Sequence, residues 1–385
     1  MAKQLLFLLD WYPTQTNNGC IFAKHLICAI ADMGYDCTVI APRIVGRNLL
    51  QTTDRVPYKT EDTTAGGSVI RIYRPYYLHL SSRKQTMKLS MDNHYRSVLR
   101  TIRREKLRPD LVYGHFIYQN GLTAARVGEK LGVPAYCACG ENSLRLQPGN
   151  QPYTTGLQYH GWRDILAKLS GVVCVSSNNE KLLRENGFID SSLPTGVFPN
   201  GVDEAKFYPM DKASCRKTLG FPEDAFIVAY TGAFSSNKGA DRLSSALSAC
   251  ENVYSIFLGQ GALEPDCERI LYKGRVPNDQ VAAYLNAADI FVLPTRGEGC
   301  CNAIVEALSC GLPVVSSDLP FNDDILNQSN SLRVDVEDVA ALQQSIQRLQ
   351  QDDALRKALA QGALTSSERL NIRQRAARIL EFMEF

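Results

Sequence analysis

Short apolar runs, each followed by a stretch with helical spacing, set the rhythm of this chain. Gln4 to Leu9 is the first run; a loop, a helix from about Ile21 to Met33 and a second strand at Thr38 to Ala41 follow it. The order returns with Leu111 to Tyr113, a helix from Gly121 to Leu131, then Ala135 to Ala138 and Val172 to Val175. Runs that are apolar throughout, without alternation, are the mark of strands buried on both faces of a parallel sheet. A second series begins at Phe226 to Tyr230 and continues through Tyr254 to Leu258, Ile290 to Leu293 and Val314 to Val315. Strands alternating with helices in this way predict two doubly wound α/β domains.

The chain of 385 residues is too long for one ordinary core and fits two domains of common size. Between the two series, Phe198-Pro-Asn-Gly-Val-Asp-Glu-Ala-Lys-Phe-Tyr-Pro209 is bounded by turn formers and reads as the linker. In an architecture of this kind the expected ligand site is a cleft at the carboxyl ends of the strands.

Hydrophobic content of 45% and charged content of 21% describe a soluble globular protein. No segment approaches the roughly 20 apolar residues of a membrane helix, and Leu5 to Leu9 is too short for the core of a signal peptide. The twelve cysteines include no C-x2-C pair, and Cys137 and Cys174 sit inside strand patterns. They read as reduced core residues of a cytoplasmic protein, not as a disulfide or zinc framework. A net charge of +2 disfavours nucleic-acid binding, yet Arg71 to Arg108 holds eleven Lys and Arg against Asp92 and Glu105. A local basic patch, not a global bias, needs explaining.

The densest chemistry lies in Pro294-Thr-Arg-Gly-Glu-Gly-Cys-Cys-Asn-Ala-Ile-Val-Glu-Ala-Leu-Ser-Cys-Gly-Leu-Pro313. After the strand Ile290 to Leu293, Asn302 is placed to cap a helix that runs to Cys310 and stops at Gly311 and Pro313. Glu298 then falls in the loop and Glu306 about one turn into the helix, flanking an N-terminus whose unpaired N–H groups suit a phosphate. Two carboxylates around such a donor cluster fit a ligand with both hydroxyls and phosphates. The loop after the first strand, Asp10 to Gly19, lacks Gly-x-Gly-x-x-Gly, which disfavours a dinucleotide enzyme. Thr231-Gly-Ala-Phe-Ser-Ser-Asn-Lys-Gly-Ala-Asp-Arg242 lacks P-loop spacing, which disfavours nucleotide hydrolysis.

Glu298 and Glu306 in that context resemble the Glu-x7-Glu signature of retaining glycosyltransferases of family 4, which have the GT-B fold: two Rossmann-like doubly wound parallel-sheet domains facing across a cleft. Bare Glu-x7-Glu is common by chance, and two surface acids on a Rossmann helix would be its ordinary meaning. The preceding strand, Gly299, Asn302 and the terminating Gly-x-Pro make the match specific. The resemblance implies that Glu298 faces the donor sugar and Glu306 the nucleotide ribose, with Gly299, Cys300, Cys301 and Asn302 lining the donor site between them. It also implies that Lys238 is the lysine that neutralises the departing diphosphate, in a loop opened by Gly232, with no metal and no cofactor beyond the nucleotide sugar. The family's arginine directly after that glycine is Ala233 here, so either Arg242 or another basic group substitutes for it or the clamp is weaker. Val276, in Lys273-Gly-Arg-Val-Pro277, lies where related enzymes hold the base with backbone groups. Gly19 matches a first-loop glycine that lets backbone approach the ligand.

In Asp110-Leu-Val-Tyr-Gly-His-Phe-Ile-Tyr-Gln-Asn-Gly121, Tyr113 replaces the first histidine of a His-x-His-Phe segment and His115 retains the second. His115 is implied to touch donor sugar or acceptor, although a lone histidine is more often structural. The next family histidine is Cys139. Pro199 to Asp203 resembles the signature that follows the interdomain linker in the family, and Arg369 to Phe385 resembles the tail that crosses back onto the first domain. The expected division is therefore 1–197 with 369–385 on the acceptor side and 198–368 on the donor side.

Met91, Tyr95, Val98, Leu99 and Ile102 recur at helical spacing, with Arg96, Arg100, Arg103 and Arg104 around them. A solvated helix face and a contact with an anionic membrane surface or lipid-diphosphate acceptor are both open readings. The expected activity is transfer of a hexosyl or N-acetylhexosaminyl unit from a nucleotide diphosphate sugar, UDP-sugar favoured, to a glycan or lipid-linked hydroxyl in surface polysaccharide synthesis. A nucleotide-sugar 2-epimerase of the same fold and a non-catalytic sugar-nucleotide-binding homologue are the rivals.

Overall fold

The computed structural model describes residues 2–14, 19–45, 56–80, 84–146 and 161–385. The chain forms two compact units, Met1–Phe198 with Arg375–Phe385 and Pro199–Gln374.

The strands of the first unit are β1 (Gln4–Leu8), β2 (Asp36–Ile40), β3 (Arg43–Val45), β4 (Lys59–Thr63), β5 (Val69–Tyr73), β6 (Tyr76–Leu78), β7 (Leu111–His115), β8 (Ala135–Cys139), β9 (Gly171–Cys174) and β10 (Thr195–Val197). Eight of them form one sheet in the order β10-β9-β8-β7-β1-β2-β5-β4, while β3 and β6 pair separately. The apolar runs β1, β7, β8 and β9 lie at its centre, where Leu5, Leu8, Leu111, Val112, Cys137 and Val172 have no exposed surface. The sequence pattern predicts a parallel sheet, and one edge departs from it: β4 runs antiparallel to β5. Lys-Thr-Glu-Asp-Thr carries no apolar residue to announce a strand, and its charges belong to a solvated sheet edge.

The C-terminal helix Ile372–Phe382 is capped by Asn371, whose Oδ1 accepts from the backbone N–H groups of Arg373 and Gln374 at 2.7 and 3.1 Å. Its end belongs to the first unit. Phe382 packs against Tyr136 and Phe198, with ring centroids 5.9 and 5.6 Å away, and Phe385 stacks on Tyr35 at 5.9 Å.

The second unit has one six-stranded parallel sheet, β11 (Phe226–Thr231), β12 (Val253–Leu258), β13 (Ile270–Gly274), β14 (Ile290–Leu293), β15 (Val314–Ser317) and β16 (Ser331–Val334). Its order is β13-β12-β11-β14-β15-β16. Chain order reverses between β11 and β14 in this unit and between β1 and β7 in the first. At such a switch point the loops leaving the two adjacent strands diverge to opposite faces and leave a crevice at the carboxyl edge.

Candidate active site

At the switch point of the second unit, the loop after β11 carries Lys238 and the loop after β14 carries Glu298. The Lys238 ammonium donates to Glu298 Oε1 over 2.5 Å, and the Thr295 hydroxyl donates to the same oxygen at 2.9 Å. Glu298 is buried, with 8% of its surface exposed. Burial alone would lower the Lys238 pKa, but the Glu298 carboxylate, through its charge and its hydrogen bond, outweighs it and holds the ammonium above its usual value. Lys238 is thereby fixed as a cation. The loops are tied through backbone as well, with Arg296 N–H donating to the Asn237 carbonyl at 2.8 Å.

Gly239, next to Lys238, has φ +73, and a Cβ there would stand 2.4 Å from the Pro294 carbonyl oxygen. Only glycine combines that left-handed turn with that approach. Arg242 donates to the Ser236 and Pro294 carbonyls at 2.9 and 2.6 Å. The alternative that Arg242 replaces the cation missing at Ala233 is not supported: it is buried and engaged with backbone, fastening one loop to the other. Arg296 is engaged too, in a bidentate pair with Glu337 at 2.6 and 2.7 Å. Polar groups aimed into this end of the sheet have spare capacity: Thr231 Oγ1 and Asn237 Oδ1 are buried without a hydrogen-bond partner.

The helix Asn302–Ser309 begins one residue earlier than the capping role of Asn302 requires. Cys301 is the N-cap, its side chain makes no capping bond, and Asn302 is the first helical residue. The first-turn amides thus have no side-chain cap, as anion binding demands. Asn302 instead accepts through Oδ1 from Asn200 Nδ2 at 2.8 Å, and Asn200 also donates to the Cys300 carbonyl at 3.1 Å. The Pro199-Asn200-Gly201 segment therefore clamps the loop that delivers Cys300 and Cys301. Asn200 was visible in the sequence only as part of a linker motif. Cys301 is buried, and burial together with the Glu298 charge pushes its thiol up to about 12, so it stays protonated.

Glu306 lies one turn along the helix, partly exposed, and desolvation raises its carboxyl to about 8. No hydrogen bond or ion pair from a described residue reaches that carboxyl group. Gly311, with φ +77, ends the helix as the sequence suggests. Gly232 closes β11 and donates to the Leu258 carbonyl at 2.9 Å. Gly299 is buried in the loop before the helix, and Val276 lies just beyond β13, so both share this edge of the sheet.

In the first unit, the equivalent switch point collects Gly19, Asp10 and His115. Gly19 precedes the helix Ile21–Asp32, but the left-handed residue there is Cys20, with φ 58. His115 ends β7 with 4% exposure, its ring 5.1 Å from Phe22 and 4.7 Å from Phe116. Burial, helped by the Arg375 charge, lowers its pKa to about 3, so the imidazole is neutral and not a proton carrier near pH 7. The turn that follows is unusual: Phe116 and Gln119 both have positive φ, 71 and 62. Such conformations in bulky residues cost energy and concentrate at ligand sites. Tyr113 and Cys139, where the family has histidines, are wholly or almost wholly buried.

The basic stretch forms the helix Lys84–Arg104. Arg83 lies outside the described residues. Arg71 pairs with Asp36 at 2.5 Å, and Arg74 is buried and donates to Thr60 Oγ1 at 2.6 Å, so neither belongs to a free patch. Lys88, Arg96, Arg100 and Arg103 are exposed, beside the exposed apolar side chains Leu78, Leu80 and Leu89. No helix among the described residues is long and apolar enough to cross a membrane.

Comparison with known proteins places this geometry in a family. The profile of Glycosyltransferase Family 4 matches residues 21–206 and that of Glycosyl transferases group 1 matches residues 225–352. A putative teichuronic acid biosynthesis glycosyltransferase, TuaC, of Bacillus subtilis is 27% identical over 91% of this chain and 90% of its own length. A D-inositol 3-phosphate glycosyltransferase of Xylanimonas cellulosilytica is 26% identical over 71% of each chain. Among solved structures, a sucrose-phosphate synthase of Thermosynechococcus elongatus matches with a TM-score of 0.80 at 18% identity, over 99% of this chain and 98% of that one. The Anabaena protein Alr3699/HepE, solved with UDP and glucose, matches with a TM-score of 0.72 at 18% identity over 99% of both chains. The chain belongs to family 4 of the glycosyltransferases and has the GT-B fold.

Proposed function

We propose that this enzyme is a retaining glycosyltransferase that moves a hexosyl or N-acetylhexosaminyl unit from a UDP-sugar to a hydroxyl of a glycan or lipid-linked acceptor. The observation that carries the reading is the pairing of Lys238 with Glu298 beside an uncapped helix N-terminus, with the unpartnered Glu306 carboxyl one turn further on. Lys238 and the helix amides neutralise the diphosphate as the sugar–phosphate bond breaks, which is the work a metal would otherwise do. Glu298 meets the sugar, Glu306 the ribose diol, and the backbone around Val276 the base. The leaving phosphate oxygen takes the acceptor proton on the face it vacates, so configuration is kept. UDP is favoured by analogy with the Anabaena protein solved with UDP and glucose, and a surface polysaccharide by the name of the Bacillus relative.

The first unit is the acceptor side, where the neutral His115 imidazole can accept or donate a hydrogen bond without titrating. The helix Lys84–Arg104 is assigned to an anionic membrane surface, on the inner face of a reducing, cytoplasmic compartment in keeping with twelve free thiols. Incubation with UDP-, GDP- and ADP-sugars, with detection of free nucleotide and of the anomeric configuration of the product, tests the reading. Lack of nucleotide release from every sugar overturns it in favour of a binding homologue, and inversion at the anomeric carbon overturns retention.

A further inference from the structure

The carboxyl edge of the first unit's sheet holds a polar arrangement that the donor chemistry does not use. We propose that Asp10 binds an uncharged hydroxyl of the acceptor, presenting one carboxylate oxygen to it while Asn120 holds the other. This rests on the reading of the first unit as the acceptor side.

Asp10 follows the buried strand β1 and is exposed at the switch point. Asn120 Nδ2 donates to Asp10 Oδ1 at 2.6 Å and to the His115 carbonyl at 3.0 Å. Asn120 itself is wholly buried, and its Oδ1 has no hydrogen-bond partner. The side chain is therefore kept in place at the cost of an unsatisfied oxygen, which natural cores seldom tolerate without a function. Gly114 leaves room for this turn: a Cβ there would lie 2.5 Å from the Asn120 carbonyl oxygen. Glu141 fixes the other end of the turn by accepting from Ile117 N–H at 2.6 Å. Cys20, Phe116 and Gln119, all with positive φ, lie in the connections that leave β1 and β7. The strain and the clamp together pre-set one carboxylate, whose Oδ2 has no partner among the described residues.

The surroundings indicate what that oxygen receives. The charged groups acting on Asp10 are Glu141 and Arg145, one of each sign. Tyr77, Tyr118 and Cys20 complete the neighbourhood and are neutral near pH 7. Two carboxylates against one arginine repel a phosphate, whereas a sugar hydroxyl donates to a carboxylate in a charge-assisted bond. The acceptor part that reaches Asp10 is thus a neutral sugar ring, and any phosphate or lipid lies elsewhere on it.

Asp10→Asn keeps size and exposure, so folding is expected to be unaffected, which the thermal midpoint checks. The full chain is assayed for nucleotide release from its best nucleotide sugar in water alone and with octyl glycosides of glucose, galactose, mannose and N-acetylglucosamine. At least one glycoside is expected to stimulate release by the parent. Asp10→Asn should then need at least tenfold more of it for half-stimulation, with Asp10→Glu recovering part of the loss. Affinity for the nucleoside diphosphate should stay within twofold of the parent. An unchanged half-stimulating concentration in Asp10→Asn overturns the inference, and so does a parent that no neutral glycoside stimulates. A parent that releases no nucleotide from any nucleotide sugar fails the activity itself, which is a separate outcome from either.

Discussion

The Lys238 ammonium and the Glu298 carboxylate come from loops on adjacent strands, β11 and β14, and meet at 2.5 Å where the chain order of the sheet reverses. Lys238 thus has a partner before any ligand arrives. In the proposed reaction, a diphosphate entering the site competes with Glu298 for the ammonium and releases Glu298 toward the sugar.

Removing one member of this pair leaves the other charge in a largely desolvated place, which costs more than the pair contributes. With Lys238 a quarter exposed, Lys238→Ala should lower stability by about 1–3 kcal/mol and turnover by at least ~100-fold. Combining Lys238→Met with Glu298→Gln removes both charges. Its denaturation midpoint should return most of the way to the parent's while nucleotide release does not. A double variant no more stable than Lys238→Ala would mean the carboxylate was never strained by losing its partner.

Glu306 ties stability to pH in the opposite sense from most carboxylates. Its folded pKa, about 8, lies above the ordinary value of 4.5, so the stability linked to its proton is complete below about 4.5 and lost as pH rises through 8. Glu306→Gln lacks that loss. The thermal midpoint of the variant relative to the parent should therefore rise between pH 5 and pH 8.5, while at pH 8.5, where the parent carboxyl is ionised, its nucleoside diphosphate affinity falls more than ~10-fold through the missing charge-assisted bond. A constant midpoint difference across that range, or unchanged affinity by calorimetry, would refute the assignment.

Asn200 holds the loop before the donor helix through the Cys300 carbonyl and Asn302 Oδ1. Asn200→Ala should cost about 1–2 kcal/mol, two ordinary hydrogen bonds. It should raise KM for the nucleotide sugar more than it lowers kcat, because it touches the loop and not the reacting atoms. Equal falls in kcat and kcat/KM with KM unchanged would give Asn200 a different part.

How far the sequence announced this molecule depended on burial. The strands β1, β7, β8, β11 and β14 are apolar because both faces are covered, and each was legible to within two residues. The strand β4 was not, since Lys59 to Thr63 sits at a solvated edge where polar residues suffice. The places of Glu298, Glu306 and Lys238 beside strand ends were legible because short motifs fix them there. The neutrality of His115, the engagement of Arg242 with carbonyls and the clamp from Asn120 to Asp10 depend on residues far apart in sequence, from six between Ser236 and Arg242 to 110 between Asp10 and Asn120. Local pattern carries no trace of such contacts. Asn302 went from cap to first helical residue because Asn200, 102 positions away, takes its side-chain oxygen.

Glycine positions in the second unit give a matched pair. Gly239 and Gly220 have nearly the same backbone, φ +73 and +70, but a Cβ at Gly239 meets the Pro294 oxygen at 2.4 Å and one at Gly220 meets nothing within 4 Å. Gly220→Ala should cost about 1 kcal/mol, the left-handed penalty alone. Gly239→Ala adds a displacement of the Lys238 loop from β14, so it should cost at least twice as much and reduce turnover at least ~10-fold. Equal denaturation midpoints for the two variants would show that the loop yields without consequence.

The exposed cations of the helix Lys84–Arg104 are the last test. Arg96, Arg100 and Arg103 follow one another at helical spacing on a single stripe with Leu89, all exposed. Each cation near an anionic bilayer contributes about 1 kcal/mol, screened by salt. The protein should sediment with phosphatidylserine-containing vesicles at low ionic strength and be released at high salt. Arg96→Ser, Arg100→Ser and Arg103→Ser together should weaken vesicle binding ~100-fold or more without changing nucleotide release in the absence of vesicles. The partners of Arg71 and Arg74 are internal, so Arg71→Ser should leave vesicle binding alone while lowering stability slightly. Binding that ignores the triple change, or its absence at low salt, would make the stripe a solvated face and the acceptor a soluble one.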